Sequence, residues 1–236
     1  MRRAPGTARR IERAADHAMR HIALIGLRCT GKTSVGAVLA RMLGVPFTDV
    51  DVEIARNLSS AAIRDPAAQP PPTELGAGEW LSRIGEAAFR DAEELALAAT
   101  LEQPSAHVIA TGGGVVERPR NCVRLEARAT CVWLRAPVAE LERRLGLDPR
   151  ARPALLGVDA AGELAELERR RAPLYRGLSQ LAIDCEGQSI EAVANRIAGW
   201  LRPGGTFRRG VDLGPGLPDN AGHDRGVEQS GSSSGS

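Results

Sequence analysis

Residues 26–33, with the sequence GLRCTGKT, form a complete G-x-x-x-x-G-K-T motif. They follow the apolar run HIALI at 21–25 and precede apolar residues spaced for a helix at 35–43. A strand, a glycine loop and a helix in this order form the setting in which backbone N–H groups surround phosphate oxygens. The motif therefore predicts a P-loop, in which Lys32 reaches the terminal phosphates and the Thr33 hydroxyl binds Mg²⁺.

Lys32 is the sole lysine among the 31 basic residues of the chain. Its compact ammonium fits between phosphates where a planar guanidinium fits poorly. A strand-to-helix turn without a ligand is the alternative interpretation. The full motif in its proper context favours nucleotide binding.

Length and composition indicate one ordinary domain with a tail at each end. The net charge of +2 over 236 residues gives no global attraction to nucleic acid or to a membrane, and three Trp, one Tyr and three Phe leave little for base stacking. No apolar run approaches the roughly 20 residues that span a bilayer. Four scattered cysteines without a C-x-x-C pair indicate reduced thiols in the cytoplasm. We expect a disordered Arg-rich arm at 1–20, a folded domain at 21–202 and a disordered Gly/Pro/Ser-rich tail at 203–236.

Short β-branched runs alternate with helical patterns along the expected domain. The expected strands lie within 21–25, 45–50, 107–110, 130–134 and 181–184, and the expected helices within 35–43, 79–101, 138–145, 163–175 and 190–201. Such alternation predicts an α/β fold with a parallel sheet between helices, whose strand C-terminal ends face the ligand site. Pro173 is expected to kink or stop the helix that contains it.

Candidate catalytic side chains follow the P-loop. Asp49 and Asp51, two apart at the end of a predicted strand, would point the same way, one toward Mg²⁺ and one toward a substrate hydroxyl. A solvated strand end is the alternative. Arg90 precedes Glu93 and Glu94 by three and four residues, a spacing that favours an exposed ion pair. The other possibility is a guanidinium fixed by those acids to bind a substrate carboxylate.

Two further stretches could approach a ligand. The sequence TGGG at 111–114 follows a predicted strand and permits close backbone approach to a ligand, or forms a simple flexible turn. The basic segment from Arg143 to Arg152 predicts a mobile lid at 146–158 that brings an arginine to the phosphates. A solvated charged loop is its alternative.

Taken in order, the motifs GLRCTGKT, DVD, FRDAE, GGG, RRLG with a later RP, and RAPLY resemble those of shikimate kinases over about residues 21–202. The resemblance implies a P-loop NTPase fold, a three-layer α/β/α sandwich with a five-stranded parallel sheet, a lid and substrate-binding helices. It implies ATP-dependent phosphorylation of the 3-hydroxyl of shikimate, which gives shikimate 3-phosphate and ADP in aromatic amino-acid biosynthesis. Shikimate, ATP and Mg²⁺ are the implied ligands. We expect a cytoplasmic monomer without nucleic-acid or membrane partners.

The resemblance also assigns roles to individual residues. Those implied to hold ATP are Cys29, Thr30, Gly31, Lys32, Thr33, Ser34, Arg144, Arg152 and Gln188. Those implied to bind shikimate are Asp51, Arg90, Gly113 and Arg171, and those implied to serve Mg²⁺ are Thr33 and Asp49. Catalysis would depend on Lys32, on Asp51 as the group that orients or deprotonates the attacking hydroxyl, and on Arg152 as the lid arginine.

Two features depart from the family pattern. The interval between Asp51 and Arg90 is longer than usual, and its excess at 61–78 is expected to form an inserted surface loop that bears on substrate specificity. Cys29 stands where the family often has glycine. The alternatives are a P-loop kinase of another small anionic polyol such as gluconate, a kinase of a nucleoside monophosphate, and a catalytically silent nucleotide-binding module.

Overall fold

A computed structural model describes residues 20–64, 75–147 and 160–202. Five parallel strands form one sheet in the order β2-β3-β1-β4-β5. The strands are β1 (His21–Ile25), β2 (Phe47–Asp49), β3 (Val108–Ala110), β4 (Ala129–Arg135) and β5 (Leu181–Asp184). The predicted five-stranded parallel sheet is confirmed.

Helices cover both faces of the sheet. They are α1 (Lys32–Leu43), α2 (Val50–Arg64), α3 (Ala77–Ile84), α4 (Glu86–Leu101), α5 (Pro119–Arg128), α6 (Val138–Leu147), α7 (Ala160–Leu178) and α8 (Ile190–Leu201), with a short 3₁₀ helix at Val115–Glu117. Among the described residues, no helix combines the length and apolar character needed to cross a lipid bilayer.

The central strand β1 is buried along its whole length, as a parallel strand covered on both faces must be. Ala23 and Ile25 pack into an apolar core that includes residues of α2 and α4 to α7. Ile22 and Leu24 pack into a second core with α1 and α8. The alternation of side chains along one strand thus produces the three layers.

The helices differ from the sequence-based expectations in their number, their bounds and the effect of a proline. The helix expected at 79–101 is divided at Gly85, whose φ of 81° ends α3 before α4 begins. Helix α2, which starts directly after β2, and helix α5 both lie where sequence patterning gave no helix. Of the two effects expected of Pro173, a kink or a stop, the stop does not occur, because α7 continues to Leu178. Tyr175, beyond the proline, is fully buried, so tertiary packing holds the last turns in place.

The sheet order brings three loops to one edge. The P-loop follows β1, Asp49 closes β2, and the triglycine turn follows β3, which lies between those two strands. The expected insertion at 61–78 is partly helical, since α2 extends to Arg64 and α3 begins at Ala77. Its middle, most of the lid range and nearly all of both expected tails lie outside the described residues.

Candidate active site

The P-loop joins β1 to α1, and its lysine is buried. The N–H groups of the first turn of α1, which begins at Lys32, face the loop as a phosphate site requires. The ammonium of Lys32 donates hydrogen bonds to the carbonyl oxygens of Gly26 at 2.9 Å and Leu27 at 2.6 Å. Burial lowers the pKa of Lys32 to about 8, although the carboxylates of Asp51 and Asp49 oppose the shift. The cation is therefore held at the loop and lies within the field of both aspartates.

Asp49 and Asp51 both act on Lys32, but they do not share the strand end that was expected to point them the same way. Strand β2 ends at Asp49, so Asp51 lies in the first turn of α2, and its N–H donates to Asp49 Oδ1 at 3.0 Å. The Thr33 hydroxyl donates to Asp49 Oδ2 at 2.6 Å. A hydroxyl and a carboxylate in contact are the oxygen donors that Mg²⁺ takes alongside substrate phosphates. The two side chains fit the metal that the motif implies.

The turn Gly112–Gly114 gathers three of the residues predicted to bind substrate. A hypothetical β-carbon would lie 3.1 Å from Asp51 Oδ1 at Gly112, 3.6 Å from Arg171 Nη1 at Gly113, and 2.3 Å from Arg90 Cζ at Gly114. At the last position any side chain would occupy the volume of the guanidinium. The turn therefore lies directly against these side chains, and its close approach to a ligand stays a prediction.

Arg90 is largely buried in this site, so the preference for an exposed ion pair is wrong. Its side chain is 12% exposed, and Nη1 donates at 3.0 Å to Glu93, whose carboxylate is fully buried. Burial raises the pKa of Glu93 against the opposing effect of Arg90. Glu94 turns away and accepts from Arg118 at 3.1 Å and Arg124 at 2.9 Å. Of the two acids after Arg90, Glu93 is the one that fixes its guanidinium.

Glu117 belongs to the site, although sequence reasoning missed it. Arg171 Nη2 donates to Glu117 Oε2 at 2.7 Å, and Arg170 donates to the other carboxylate oxygen. Arg90 Nη2 lies 3.9 Å from the same Oε2. Burial acts to raise the pKa of Glu117, but the arginines, Arg171 first, hold it below its usual value. The two partners are 54 positions apart, and no local pattern connects them.

Helix α7 is fastened to the triglycine turn. The buried Tyr175 hydroxyl donates to the carbonyl oxygen of Gly113, and burial raises the pKa of this phenol. Arg171 lies one helical turn earlier on α7 and faces the same glycine.

A second buried ion pair that sequence reasoning missed joins the P-loop to α7. Arg28 Nη2 lies 3.2 Å from Glu163 Oε1, and the glutamate is fully buried. Glu163 lies in the first turn of α7. The pairing spans most of the domain, so the sequence carries no local sign of it.

A cavity of about 240 Å³ lies beside the P-loop on the side of α6 and α8. The residues predicted to bind nucleotide that line it are Cys29, Thr30, Gly31, Ser34, Arg144 and Gln188. Arg144 donates to the carbonyl oxygens of Cys29 at 3.3 Å and Cys185 at 3.0 Å. Gln188 accepts from Arg196 at 3.0 Å. Arg152, the predicted lid arginine, lies outside the described residues.

Cys29 adopts a left-handed backbone conformation with φ 63°. This conformation is the one that glycine tolerates best, which suits the glycine that the resemblance to shikimate kinases implies at this position. The four cysteines, all within the described residues, are reduced.

The chain is similar to known proteins over the range that contains most of these residues. Residues 28–68 and 73–202 match a family model described as shikimate kinase. The break between the matched ranges falls inside the segment where the insertion is expected. A shikimate kinase from Paracidovorax citrulli is 40% identical over 179 residues, which cover 75% of this chain and 89% of the relative. A shikimate kinase from Nitrosomonas europaea is 36% identical over 182 residues, which cover 77% of this chain and 78% of the relative.

Solved structures agree with the sequence comparison. A shikimate kinase from Acinetobacter baumannii in complex with shikimate superposes with a TM-score of 0.65 at 28% identity, covering 79% of this chain and 95% of that one. A shikimate kinase from Bacteroides thetaiotaomicron gives a TM-score of 0.65 at 29% identity, covering 78% and 99%. The P-loop, the triglycine turn and Arg171 all lie in or directly beside the matched range. On this evidence the chain belongs to the shikimate kinase family.

Proposed function

We propose that this protein transfers the terminal phosphate of ATP to the 3-hydroxyl of shikimate, giving shikimate 3-phosphate and ADP. The observation that carries the proposal is the triglycine turn, against which Asp51, Arg171 and Arg90 lie in succession. The same turn lies against the P-loop, because a β-carbon on Gly113 would be 3.5 Å from the carbonyl oxygen of Gly26. A site for a small acid with hydroxyl groups therefore adjoins a site for phosphates.

Arg90 and Arg171 would bind the shikimate carboxylate. Each guanidinium presents a planar set of donors that matches the two oxygens of a carboxylate. Both side chains are largely buried, so a carboxylate bound there is shielded from water and its attraction to the arginines is strengthened. The backbone of Gly113 would contact the ring hydroxyls.

Asp51 would orient the attacking hydroxyl or accept its proton, while Lys32 stabilises charge on the phosphate. Phosphoryl transfer needs little covalent assistance, so positioning and electrostatic stabilisation dominate its catalysis. Asp51 suits the role because it lies against Gly112, in the turn that Arg90 and Arg171 also contact, and because its charge acts on Lys32. Arg152, from the expected lid, would add positive charge on the transferring group.

Thr33 and Asp49 would hold Mg²⁺, directly or through water. When bound, the ion neutralises charge on the phosphate oxygens. Arg144 and Gln188 would contact the adenine end, since both line the cavity beside the P-loop. The backbone from Cys29 to Ser34 would surround the phosphates.

A coupled assay of ADP release tests the proposal. Purified protein with ATP and Mg²⁺ is offered shikimate, gluconate or a nucleoside monophosphate in parallel reactions. Turnover with shikimate and little with the others is expected. Preference for gluconate or a nucleoside monophosphate would identify a kinase of different specificity. ATP binding without turnover on any acceptor would identify a silent nucleotide-binding module.

We further propose a cytoplasmic monomer whose catalytic domain spans 21–202. The reduced state of all four cysteines supports a reducing compartment. Sedimentation of the full chain, with and without ATP and shikimate, tests the monomer.

A further inference from the structure

Three arginines near the triglycine turn and the P-loop each pair with a glutamate. In two of the pairs the glutamate lies on a different element from the arginine, and in the third it lies one turn further along the same helix. The pairs are Arg28 with Glu163 at 3.2 Å, Arg90 with Glu93 at 3.0 Å, and Arg171 with Glu117 at 2.7 Å. The carboxylates of Glu163 and Glu93 are fully buried, whereas that of Glu117 is 17% exposed. Glu117 is therefore the member of this set with access to solvent.

The position of Glu117 is that of a bound carboxylate. One oxygen, Oε2, lies 2.7 Å from Arg171 Nη2 and 3.9 Å from Arg90 Nη2. These are the two guanidiniums that would clamp the substrate acid. Two ionised carboxylates cannot share the same donors without strong mutual repulsion. Glu117 and an incoming acid therefore compete for Arg171.

Glu117 can keep an ion pair with a second arginine when it is displaced from Arg171. Its second oxygen already accepts a hydrogen bond from Arg170, whose side chain is 47% exposed. A rotation of the Glu117 side chain toward Arg170 would keep that ion pair at the surface and vacate the edge of Arg171. Glu93 has no such route, because moving a fully buried carboxylate would leave an unpaired charge in the interior.

We propose that the Glu117 carboxylate holds the place of the substrate carboxylate and that the substrate binds by displacing it. This inference rests on the proposed function. Displacing the Glu117 carboxylate is favourable only for a ligand that brings its own carboxylate to Arg171 and Arg90. A neutral polyol of the same shape gains nothing from Arg171 by displacing Glu117, so it would bind beside the intact ion pair. Glu117 thus lowers the affinity for the acid and leaves the affinity for uncharged analogues unchanged.

The test compares Glu117→Gln with the unaltered chain by calorimetric titration of shikimate and of its methyl ester. The variant keeps the shape and removes the competing charge. Shikimate is expected to bind about tenfold more tightly to the variant, equivalent to about 1.4 kcal/mol. The ester, which brings no carboxylate, is expected to bind both proteins equally, and the KM for ATP should not change.

Two further variants make the result specific. Glu166→Gln also removes one carboxylate charge, but from an ion pair on α7 in which Glu166 lies 2.7 Å from the exposed Arg169. It should leave shikimate affinity unchanged. Glu117→Asp keeps the charge but withdraws it from both guanidiniums, and should give an intermediate gain. Thermal melting of each variant establishes that it is folded.

Weaker shikimate binding to Glu117→Gln would overturn the inference and make Glu117 a residue that positions Arg171. An equal gain for shikimate and its ester would also overturn it, because competition between carboxylates predicts a difference. If the unaltered chain phosphorylates shikimate and Glu117→Gln gains no affinity, displacement fails while the proposed function stands. If the unaltered chain neither binds nor phosphorylates shikimate, the proposed function fails and the displacement with it.

Discussion

Gly114 and Arg90 are fitted so closely that a β-carbon on residue 114 would lie 2.3 Å from the guanidinium carbon. The colliding atom belongs to the end of a flexible side chain, so Gly114→Ala should move the guanidinium and leave the turn in place. We expect the KM for shikimate to rise at least about tenfold, the effect of losing ~1.4 kcal/mol of binding, with little change in the KM for ATP. Steady-state kinetics with each substrate varied in turn measures both constants.

Gly199→Ala is the matched control for this substitution, because Gly199 lies in α8 and a β-carbon there would meet no atom within 4 Å. Its kinetics should be unchanged, and its free energy of unfolding should rise by up to about 1 kcal/mol through helix propensity. A Gly114→Ala enzyme whose two KM values rose equally would show that Arg90 does not act on shikimate alone.

Asp51→Asn should reduce kcat by about 10²–10⁴-fold, the range typical for loss of a general base, and change the KM for shikimate much less. The amide keeps the shape of Asp51 beside Gly112 but cannot accept the proton of the attacking hydroxyl. Glu53→Gln is the control, since Glu53 lies on the same helix and pairs with the exposed Arg56 at 2.9 Å. A loss of only a few-fold in kcat would remove Asp51 from the chemistry.

Lys32 should make the folded state more stable as pH rises from 8 to 10. Its pKa in the folded protein is about 8, below its ordinary value of 10.5. The unfolded chain therefore binds more protons in that range, and the free energy of unfolding increases with pH. Lys32→Met should remove this dependence, abolish turnover and stabilise the protein at pH 7 by on the order of 1–3 kcal/mol.

Urea unfolding at pH 7 and at pH 9.5 measures the Lys32 effect. Arg41→Met, which removes an exposed cation from the same helix, serves as control and should match the unaltered chain at both values. If Lys32→Met destabilised the protein at pH 7, the buried ammonium would be a net stabilising group through its bonds to the loop carbonyls.

The fold was predictable because its signals are local, whereas the site is assembled from long-range contacts. All five strands were predicted from short apolar runs. Helix α2 was missed because the expected strand ran into its first turn, where Asp51 lies. The division of the helix expected at 79–101 was missed because a single glycine within a helical pattern gives no indication of its backbone conformation.

Side-chain partnerships were the harder part of the site. The spacing of Arg90 and Glu93 indicated a pair, but its burial comes from the triglycine turn, which is remote in sequence. Glu117 and Glu163 were missed for the same reason, since their arginine partners lie on other elements. Such pairs become visible only when the sheet order sets neighbouring loops side by side.

Cys29 should be replaceable by glycine with a gain in stability. Its φ of 63° lies in the left-handed region, where a β-carbon costs about 1 kcal/mol or more and a β-branched side chain costs most. We expect Cys29→Gly to raise the free energy of unfolding by up to about 1 kcal/mol and Cys29→Val to lower it by about 1–2 kcal/mol. Denaturation midpoints at equal m-value measure the difference. Equal effects of both substitutions would mean that this backbone conformation is not strained.

Alkylation of Cys29 should block ATP binding. Cys29 is partly exposed and lines the cavity beside the P-loop. Cys185 lines the same cavity but is buried, as is Cys131, and burial raises their pKa values to about 11 and about 12. Cys122 is partly exposed, so the experiment uses a Cys122→Ser background. Iodoacetamide should modify Cys29 first, ATP should protect it, and the modified protein should lose nucleotide affinity. Peptide mass spectrometry and a nucleotide titration measure the two outcomes. Unchanged ATP affinity after complete modification would contradict the prediction.

The bond from Tyr175 to the Gly113 carbonyl has a consequence for the dimensions of the crevice. Arg171 and Tyr175 are four residues apart on one helix, about 6 Å along its axis. Tyr175 holds the backbone of the triglycine turn in place, and Arg171 places its guanidinium against the same turn. The helix fixes the spacing between these two side chains. An acid too bulky to fit between the Gly113 backbone and the Arg171 guanidinium would have to break the hydrogen bond of the buried Tyr175 hydroxyl before it could reach that guanidinium.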